Sequence, residues 1–263
     1  MDKYFVMIRM RFLTMLAYRM EYYTGIIIYS INIGAYYFLW KAIYGSQGEI
    51  GNVDFVQMTT YVAIGWMARS FYYNNIDREI AADIQEGKVA IELIRPYDYV
   101  LMKTAQAFGE GVFRFFCFAV PGFIIVSLLF PVHLPSDPFL WVSFFVSIFF
   151  SFLIFTQINL AVGLTTFFFY NNRGFMRAKR ILLDLLSGLL IPIYLFPAWV
   201  QSIFTFLPFQ SISYVPSMIF SGGFTTELVY LSIGKQLLWS VILIVPIMLL
   251  WKTAKKIVVV QGG

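Results

Sequence analysis

The residues of this chain that could do chemistry are charged side chains inside long apolar stretches. Glu110 and Arg114 are four residues apart, Arg180 and Asp184 repeat that spacing, and Arg69 lies in another apolar stretch. Opposite charges four positions apart on a helix can form an ion pair. A charge at the centre of a bilayer costs at least about 2.5 kcal/mol on insertion scales, so each of these residues needs a reason to be there. They predict either a structural clamp near the inner membrane surface or a gate that closes the inner ends of the helices.

Other chemical motifs are missing from the sequence. It has no phosphate loop of the form GlyXXXXGlyLys[Ser/Thr], so we do not expect it to bind ATP by that route. The one histidine, His133, has no metal-ligand cluster near it in the sequence, and the one cysteine, Cys117, permits no internal disulfide. We therefore expect no catalytic residue, no metal site and no cofactor bound by this chain itself.

A charged segment from Asn74 to Tyr99 interrupts the apolar pattern, with charged and apolar residues alternating at helical spacing. Four isoleucines are expected to pack inward: Ile80, Ile84, Ile91 and Ile94. Five charged residues are expected to point to water: Asp83, Glu86, Lys88, Glu92 and Arg95. Gly87 should interrupt the helix and Pro96 should stop it. The segment could be a surface helix that completes a loop, or a docking helix that carries a partner's motion into the bilayer.

The positions of the basic residues predict the membrane topology of the chain. Four clusters, separated by three long apolar stretches, hold fifteen of the nineteen Lys and Arg residues. The clusters are Lys3, Arg9, Arg11 and Arg19; Arg78, Lys88, Arg95 and Lys103; Arg173, Arg177, Lys179 and Arg180; and Lys252, Lys255 and Lys256. Short loops rich in Lys and Arg stay on the cytoplasmic side, so each apolar stretch must leave the cytoplasm and return. This predicts an all-α membrane protein with six transmembrane helices and both termini in the cytoplasm.

Composition supports a membrane protein. Apolar residues make up 60% of the chain and charged residues 13%, against roughly 25% charged residues in soluble domains. The formal net charge is +5, and the topology accounts for it without a nucleic-acid partner.

One transmembrane domain over residues 1–263 is predicted, beginning with an amphipathic helix in the membrane interface at 1–23. Spans 1 and 2 fall in 24–75, near 24–44 and 55–75, and a cytoplasmic segment follows at 76–103. Spans 3 and 4 fall in 104–169, near 104–130 and 139–169, with a kink expected at Pro121. A cytoplasmic loop at 170–180, a last membrane region at 181–251 and a cytoplasmic tail at 252–263 complete the order.

The last membrane region contains 42 residues without a formal charge, from Leu185 to Thr226. As one helix they would reach roughly 63 Å, about twice the hydrocarbon thickness. Two complete spans would instead place the last lysine cluster outside the cell, against the charge rule. We therefore predict span 5 at 181–198, a re-entrant hairpin in the outer leaflet at 199–226, and span 6 at 228–251.

The sequence resembles the type-2 ABC exporter permeases. The resemblance depends on AspIleGlnGluGlyLysValAlaIleGluLeuIleArgPro at 83–96, on PheProAlaTrpValGlnSerIlePheThrPheLeuProPhe at 196–209, and on a final span ending in LysXXXLys. It covers essentially the whole chain. The branch that it is most similar to contains permeases that are often paired and encoded beside a separate ATPase.

The resemblance implies a coupling helix between spans 2 and 3, an interfacial N-terminal helix and an outer hairpin before span 6. It also implies a dimer with an identical or related permease, and two copies of an ABC ATPase subunit that hold the ATP and Mg. The residues that it would assign to ATPase coupling are Asp83, Gln85, Glu86, Gly87, Lys88, Glu92, Arg95 and Pro96.

The resulting functional prediction is a permease subunit of an ATP-driven exporter in a bacterial cell membrane. An aromatic content of 20% would suit a hydrophobic or amphipathic substrate. The alternative is an ion-coupled secondary transporter or channel that acts without an ATPase, for which a mid-membrane carboxylate or broken helices around a central site would be expected. A lipid-modifying enzyme is disfavoured because the sequence shows no group of polar residues that could come together as its active site.

Overall fold

The computed structural model describes residues 2–17, 20–45, 48–50 and 53–261, and they are nearly all helical. Arg19, one of the predicted basic anchors, and the end of the predicted tail at 262–263 lie outside the described residues. The α-helices are α1 Asp2–Ala17, α2 Met20–Tyr44, α3 Phe55–Tyr72, α4 Ile76–Gln85, α5 Lys88–Ile94, α6 Tyr99–Arg114, α7 Val120–Leu129, α8 Pro138–Leu164, α9 Arg173–Leu186, α10 Ala198–Thr205, α11 Tyr214–Phe220, α12 Thr226–Ile242 and α13 Ile244–Gln261. Two short antiparallel strands, β1 Glu49–Ile50 and β2 Val53–Asp54, precede α3.

Within the described part of the chain, four helices are long and apolar enough to cross a membrane. They are Thr24–Tyr44, Tyr99–Leu129, Pro138–Phe167 and Thr226–Ile257. They correspond to predicted spans 1, 3, 4 and 6, and they indicate a multi-pass membrane protein. The third-span helix begins at Tyr99, five residues before the predicted start at Thr104. It contains a π-helical turn at Phe115–Ala119, directly before the expected kink at Pro121.

The predicted second span forms α3, an 18-residue helix with too many polar residues to qualify by composition. Thr59, Thr60 and most of the apolar side chains of α3 are buried. The helix packs against α2, α6, α8 and α11. Because its neighbours are protein helices rather than lipid, α3 does not need the hydropathy of a lipid-facing span.

The expected continuous helix over 181–198 is not formed, since α9 ends at Leu186. Gly188 follows with φ +80°, a conformation that favours glycine, and Pro192 lies four residues further on. Proline disrupts the interior of an α-helix, so α9 cannot continue through Pro192, and only a short 3₁₀ helix follows at Ile193–Leu195. The prediction placed a helix across residues whose local preferences end one.

From Ser187 to Phe220 the chain consists of short helices and turns, held by polar contacts within the segment and to neighbouring helices. The Tyr214 amide donates to the Ser187 carbonyl at 2.9 Å, and the Tyr61 hydroxyl donates to the Gly188 carbonyl at 2.5 Å. The Ser211 carbonyl accepts from Gln236 Nε2 at 2.7 Å. Irregular backbone at membrane depth is tolerated where protein surrounds it, and here α3, α8 and α12 do so.

Two glycines permit the close helix contacts that position the charged segment. A Cβ added to Gly109 of α6 would overlap the Ile8 carbonyl oxygen of α1. One added to Gly163 of α8 would lie 3.0 Å from the Asp77 Cα of α4. The helices α1 and α6, and likewise α4 and α8, therefore pack with their backbones in near contact.

Candidate coupling site around helices α4 and α5

The charged segment forms two helices, α4 and α5, as Gly87 and Pro96 predicted. Gly87 lies between them with φ +72°, in the left-handed region where glycine carries no Cβ penalty. Arg95 ends α5 in an extended conformation, which is the usual state of a residue before proline. The segment is thus a hinged pair of helices rather than one rod.

Two of the four isoleucine predictions are wrong. Ile80 is buried and Ile84 is half-buried, but Ile91 and Ile94 are 57% and 83% exposed. Val89 is the buried residue of α5. The spacing of the four isoleucines was read as one helical period that continues across Gly87. The turn at that glycine breaks the period, so a different face of α5 points inward.

Asp83 was also expected to point to water, and it does not. Its Oδ2 lies 2.7 Å from Lys103 Nζ and accepts a hydrogen bond from the Tyr99 hydroxyl at 2.9 Å. Both partners belong to α6. Asp83 therefore attaches α4 to the third-span helix instead of presenting its charge to solvent.

Six charged side chains form a continuous network, called here the Glu110 cluster. Its members are Arg11, Glu79, Asp83, Lys103, Glu110 and Arg114. The buried Glu110 accepts from Arg11 Nη2 at 2.6 Å and Nε at 3.1 Å, and it pairs with Arg114 as the sequence predicted. Arg11 Nη2 also reaches Glu79 Oε1 at 2.5 Å. Three cations balance three carboxylates, and the cluster joins α1, α4 and α6.

A second buried group, called the Asp77 cluster, consists of Asn74, Asp77, Asn159 and Lys179. Lys179 Nζ donates to Asp77 Oδ2 and Asn159 Oδ1, both at 2.5 Å. Asn159 Nδ2 donates to Asn74 Oδ1 at 2.9 Å. Burial lowers the pKa of Lys179, and the nearby Asp77 carboxylate opposes that shift. The cluster joins the start of α4 to α8 and α9.

The remaining predicted charges also find partners. Arg69 of α3 pairs with Asp184 of α9 at 3.0 Å, and its guanidinium lies 4.9 Å from the centre of the Tyr73 ring. The predicted pair of Arg180 and Asp184 is longer, at 3.8 Å. The i,i+4 spacing thus identified a real contact of Asp184 but missed its shorter one, which joins two helices.

The outer surface of α4 and α5 combines charge with exposed apolar residues. Lys88 contacts Glu86, and Arg95 lies 3.3 Å from Glu92, whose carboxylate also accepts from the Tyr97 hydroxyl. The exposed residues of this surface are Gln85, Glu86, Gly87, Lys88, Ile91, Ile94, Arg95 and Pro96, with Glu92 half-buried. Seven of the eight residues assigned to coupling therefore lie together on one accessible edge, and Asp83 lies behind it.

Sequence reasoning missed Asp77, Glu79, Lys103, Asn159 and Lys179 as members of buried clusters. Asp77 is 2% exposed, and Lys103 is 6% exposed. Their signal in the sequence was weak, because the four charged residues lie in stretches already explained as cytoplasmic loops and Asn159 is an uncharged residue of predicted span 4.

Residues 30–262 match the family model described as ABC-2 family transporter protein. No curated protein and no solved structure gives a match. The matched range includes α4, α5, the Asp77 cluster and every member of the Glu110 cluster except Arg11.

Proposed function

We propose, from the premise that the chain belongs to the ABC-2 transporter family, that it is the permease subunit of an ATP-driven exporter. Members of this family pair with an ABC ATPase, which would hold the ATP and Mg, so the chain itself needs no ATPase site. We further propose two ATPase copies and a second permease, identical or related, in each complex. The substrate is hydrophobic or amphipathic, and it moves out of a bacterial cell through its plasma membrane.

The observation that carries this proposal is the placement of α4 and α5. Their outer edge is accessible, while α4 is bonded on its inner side to helices α1, α6, α8 and α9 through the two charge clusters. A partner that pushes on the edge would therefore move helices on both sides of α4. A helix that only completed a loop would not need two buried ionic attachments.

Six crossings are proposed, with span 5 beginning in the last part of α9, after Arg180, and continuing through the irregular chain that follows it. Asp184 contacts Arg69 near the end of α3, and Gly188 contacts Tyr61 closer to its start. Tyr194 packs in a cluster with Trp40, beside the end of α2. The chain from 184 to 194 thus runs along α3 in the opposite direction, which supports a crossing.

The outer hairpin is proposed from contacts along α8, which starts at the outer surface in this topology. The Ser211 carbonyl accepts from Ser151 near the middle of α8 at 3.1 Å. The ring centroids of Phe220 and Trp141 are 5.0 Å apart, and Trp141 lies near the start of α8. These two contacts support a chain that dips to mid-depth and returns. With this hairpin the proposed topology keeps both termini in the cytoplasm.

An amphipathic substrate is supported by a cavity of about 370 Å³ between α2, α3 and the π-helical turn. Aromatic side chains of Tyr29, Trp66 and Phe118 line it, and so do Arg69 and Arg114. We propose that the ion pairs of these two arginines close the inner end of this cavity and separate during transport. Glu110 is bound by two arginines, which disfavours an ion-carrying role and hence the secondary transporter.

The decisive experiment is co-purification from the native host, with ATP hydrolysis in the eluate as the readout. Tagged wild-type protein should bring down a subunit that hydrolyses ATP. The double substitution Glu86→Lys and Glu92→Lys should weaken that association about tenfold, or about 1.4 kcal/mol, since two charges at a partner surface are reversed.

The matched control is Glu49→Lys with Glu227→Lys, which makes the same charge change at two exposed residues away from α4 and α5. It should retain the ATPase. Transport by wild-type protein reconstituted without any ATPase would overturn the proposal in favour of the secondary transporter.

A further inference from the structure

A basic groove lies between α4 and α9, apart from the two clusters, and it shares Gln85 with the accessible edge of α4 and α5. Its volume is about 420 Å³, and none of the described residues that line it is acidic. The polar lining residues are Arg78, Gln85, Asn172, Arg173, Arg177 and Arg180. Four guanidinium groups around one cavity repel one another unless an anion lies between them.

The arginines of the groove are poorly paired within the protein. Among the described residues, Arg78, Arg173 and Arg177 have no carboxylate within ion-pair distance, and Arg180 reaches Asp184 only at 3.8 Å. The two amides are already used, because Gln85 Nε2 donates to the Tyr170 carbonyl and Asn172 Nδ2 donates to the Val162 carbonyl. The amides hold the rim of the groove, and the guanidinium groups remain available to a ligand.

The three faces of α9 indicate where the groove lies relative to the membrane surface. At helical spacing, Met176, Lys179 and Leu183 share the face packed on the protein, and Arg173, Arg177 and Arg180 share the next face. The third face is apolar and exposed: Phe175, Ile181, Leu182 and Leu185. A helix with adjoining basic and apolar faces is typical of the boundary between headgroups and hydrocarbon. Such a position for α9 would place its arginines at the level of lipid phosphates.

We propose that this groove binds the phosphate headgroup of an anionic phospholipid of the inner leaflet. The planar guanidinium group matches phosphate oxygens in a bidentate fashion, and basic pockets on the cytoplasmic side of membrane helices suit anionic headgroups. The acyl chains would cover the exposed apolar face of α9, which a water-soluble ATPase would not. A bound lipid would neutralise the repulsion between Arg78 of α4 and the arginines of α9, and would link the two helices.

The test uses full-length purified protein and measures lipid binding by native mass spectrometry in detergent. Dioleoylphosphatidylglycerol should bind more tightly than dioleoylphosphatidylcholine. Replacing Arg173 and Arg177 by Gln should weaken phosphatidylglycerol binding about 30-fold, since each basic residue near an anionic surface contributes about a fivefold factor. The control, Lys252→Gln with Lys256→Gln, removes the same charge at exposed residues of α13 and should leave binding within about twofold of wild type.

Three outcomes would overturn the proposal. Equal losses of phosphatidylglycerol binding in the groove variant and in the control would mean that only the overall charge of the protein matters. Equal competition by inorganic phosphate at the concentration of the lipid would indicate a free-anion site. Unchanged lipid binding in a groove variant that no longer co-purifies the ATPase would assign the groove to the partner. If the double variant does not fold, the single substitution Arg177→Gln at an exposed side chain should still show a loss of about fivefold.

Discussion

Replacing Glu110 by Gln should weaken the attachment of α1 to α6 and reduce transport more than it reduces assembly of the complex. The Glu110 side chain is 7% exposed, and it bonds Arg11 of α1 at 2.6 Å as well as Arg114 of its own helix. Glutamine keeps the shape of the side chain and one acceptor oxygen, but it leaves the cluster with one uncompensated positive charge.

The expected cost follows from the burial of the partners. Removing one partner of a fully buried ion pair costs about 3–5 kcal/mol. The Arg11 and Arg114 side chains are 25% and 17% exposed, so water screens part of the excess charge. We therefore expect a loss of about 2 kcal/mol in the free energy of unfolding, between the value for a buried pair and the value of about 0–1 kcal/mol for a surface pair.

A double-mutant cycle with Arg11→Gln, Glu110→Gln and the combined variant isolates this contact. Thermal unfolding in detergent should give a coupling energy of about 1–2 kcal/mol between the two positions. The control Glu227→Gln removes an exposed carboxylate and should change stability by no more than about 0.5 kcal/mol. If Glu110→Gln and Glu227→Gln unfold at the same temperature, the cluster does not hold α1. Normal transport per assembled complex in a folded Glu110→Gln variant would remove the gating role.

Two glycine substitutions test the backbone geometry. Gly109→Ala should destabilise the protein by about 1–3 kcal/mol, because its Cβ overlaps the Ile8 carbonyl oxygen, and should speed proteolysis of α1. Gly234→Ala, whose added Cβ would meet no atom within 4 Å beyond its chain neighbours and its own helix backbone, should be neutral or slightly stabilising in the same assays. Gly87→Ala should cost about 1–2 kcal/mol at φ +72° and reduce substrate-stimulated ATP hydrolysis by the complex. Gly174→Ala, which has open space and no positive φ, should leave that hydrolysis unchanged.

The sequence predicted the elements whose signals are local. Basic clusters and hydropathy identified the four long apolar helices, and Gly87 and Pro96 predicted the two breaks of the charged segment. The spacing of Glu110 and Arg114 predicted their ion pair. These features depend on residues within one helical turn or within one run of apolar side chains, so no knowledge of the fold was needed.

Contacts between distant residues could not be predicted in this way. Arg11 and Glu110 are 99 positions apart, and Asp77 and Lys179 are 102 positions apart. Charge spacing along one helix does not encode which helices become neighbours. The same limit explains α3, whose polar composition is compatible with a membrane core only because other helices surround it.

The two clusters bear on how a push on α4 would be distributed. Glu79 and Asp83 are four residues apart and share one face of α4, while Asp77 lies on a face about 140° away at 3.6 residues per turn. The first face is bonded to α1 and α6, and the second is bonded to α8 and α9. Rotation or tilt of α4 that shortens the contacts on one side must lengthen those on the other. Most of the accessible edge lies on α5, beyond the turn at Gly87, while Gln85 and Glu86 lie on the α4 side of that turn. A partner's motion would therefore reach α4 partly through Gly87, and it would reach α1 also through the hydrogen bond from Lys3 to the Pro96 carbonyl.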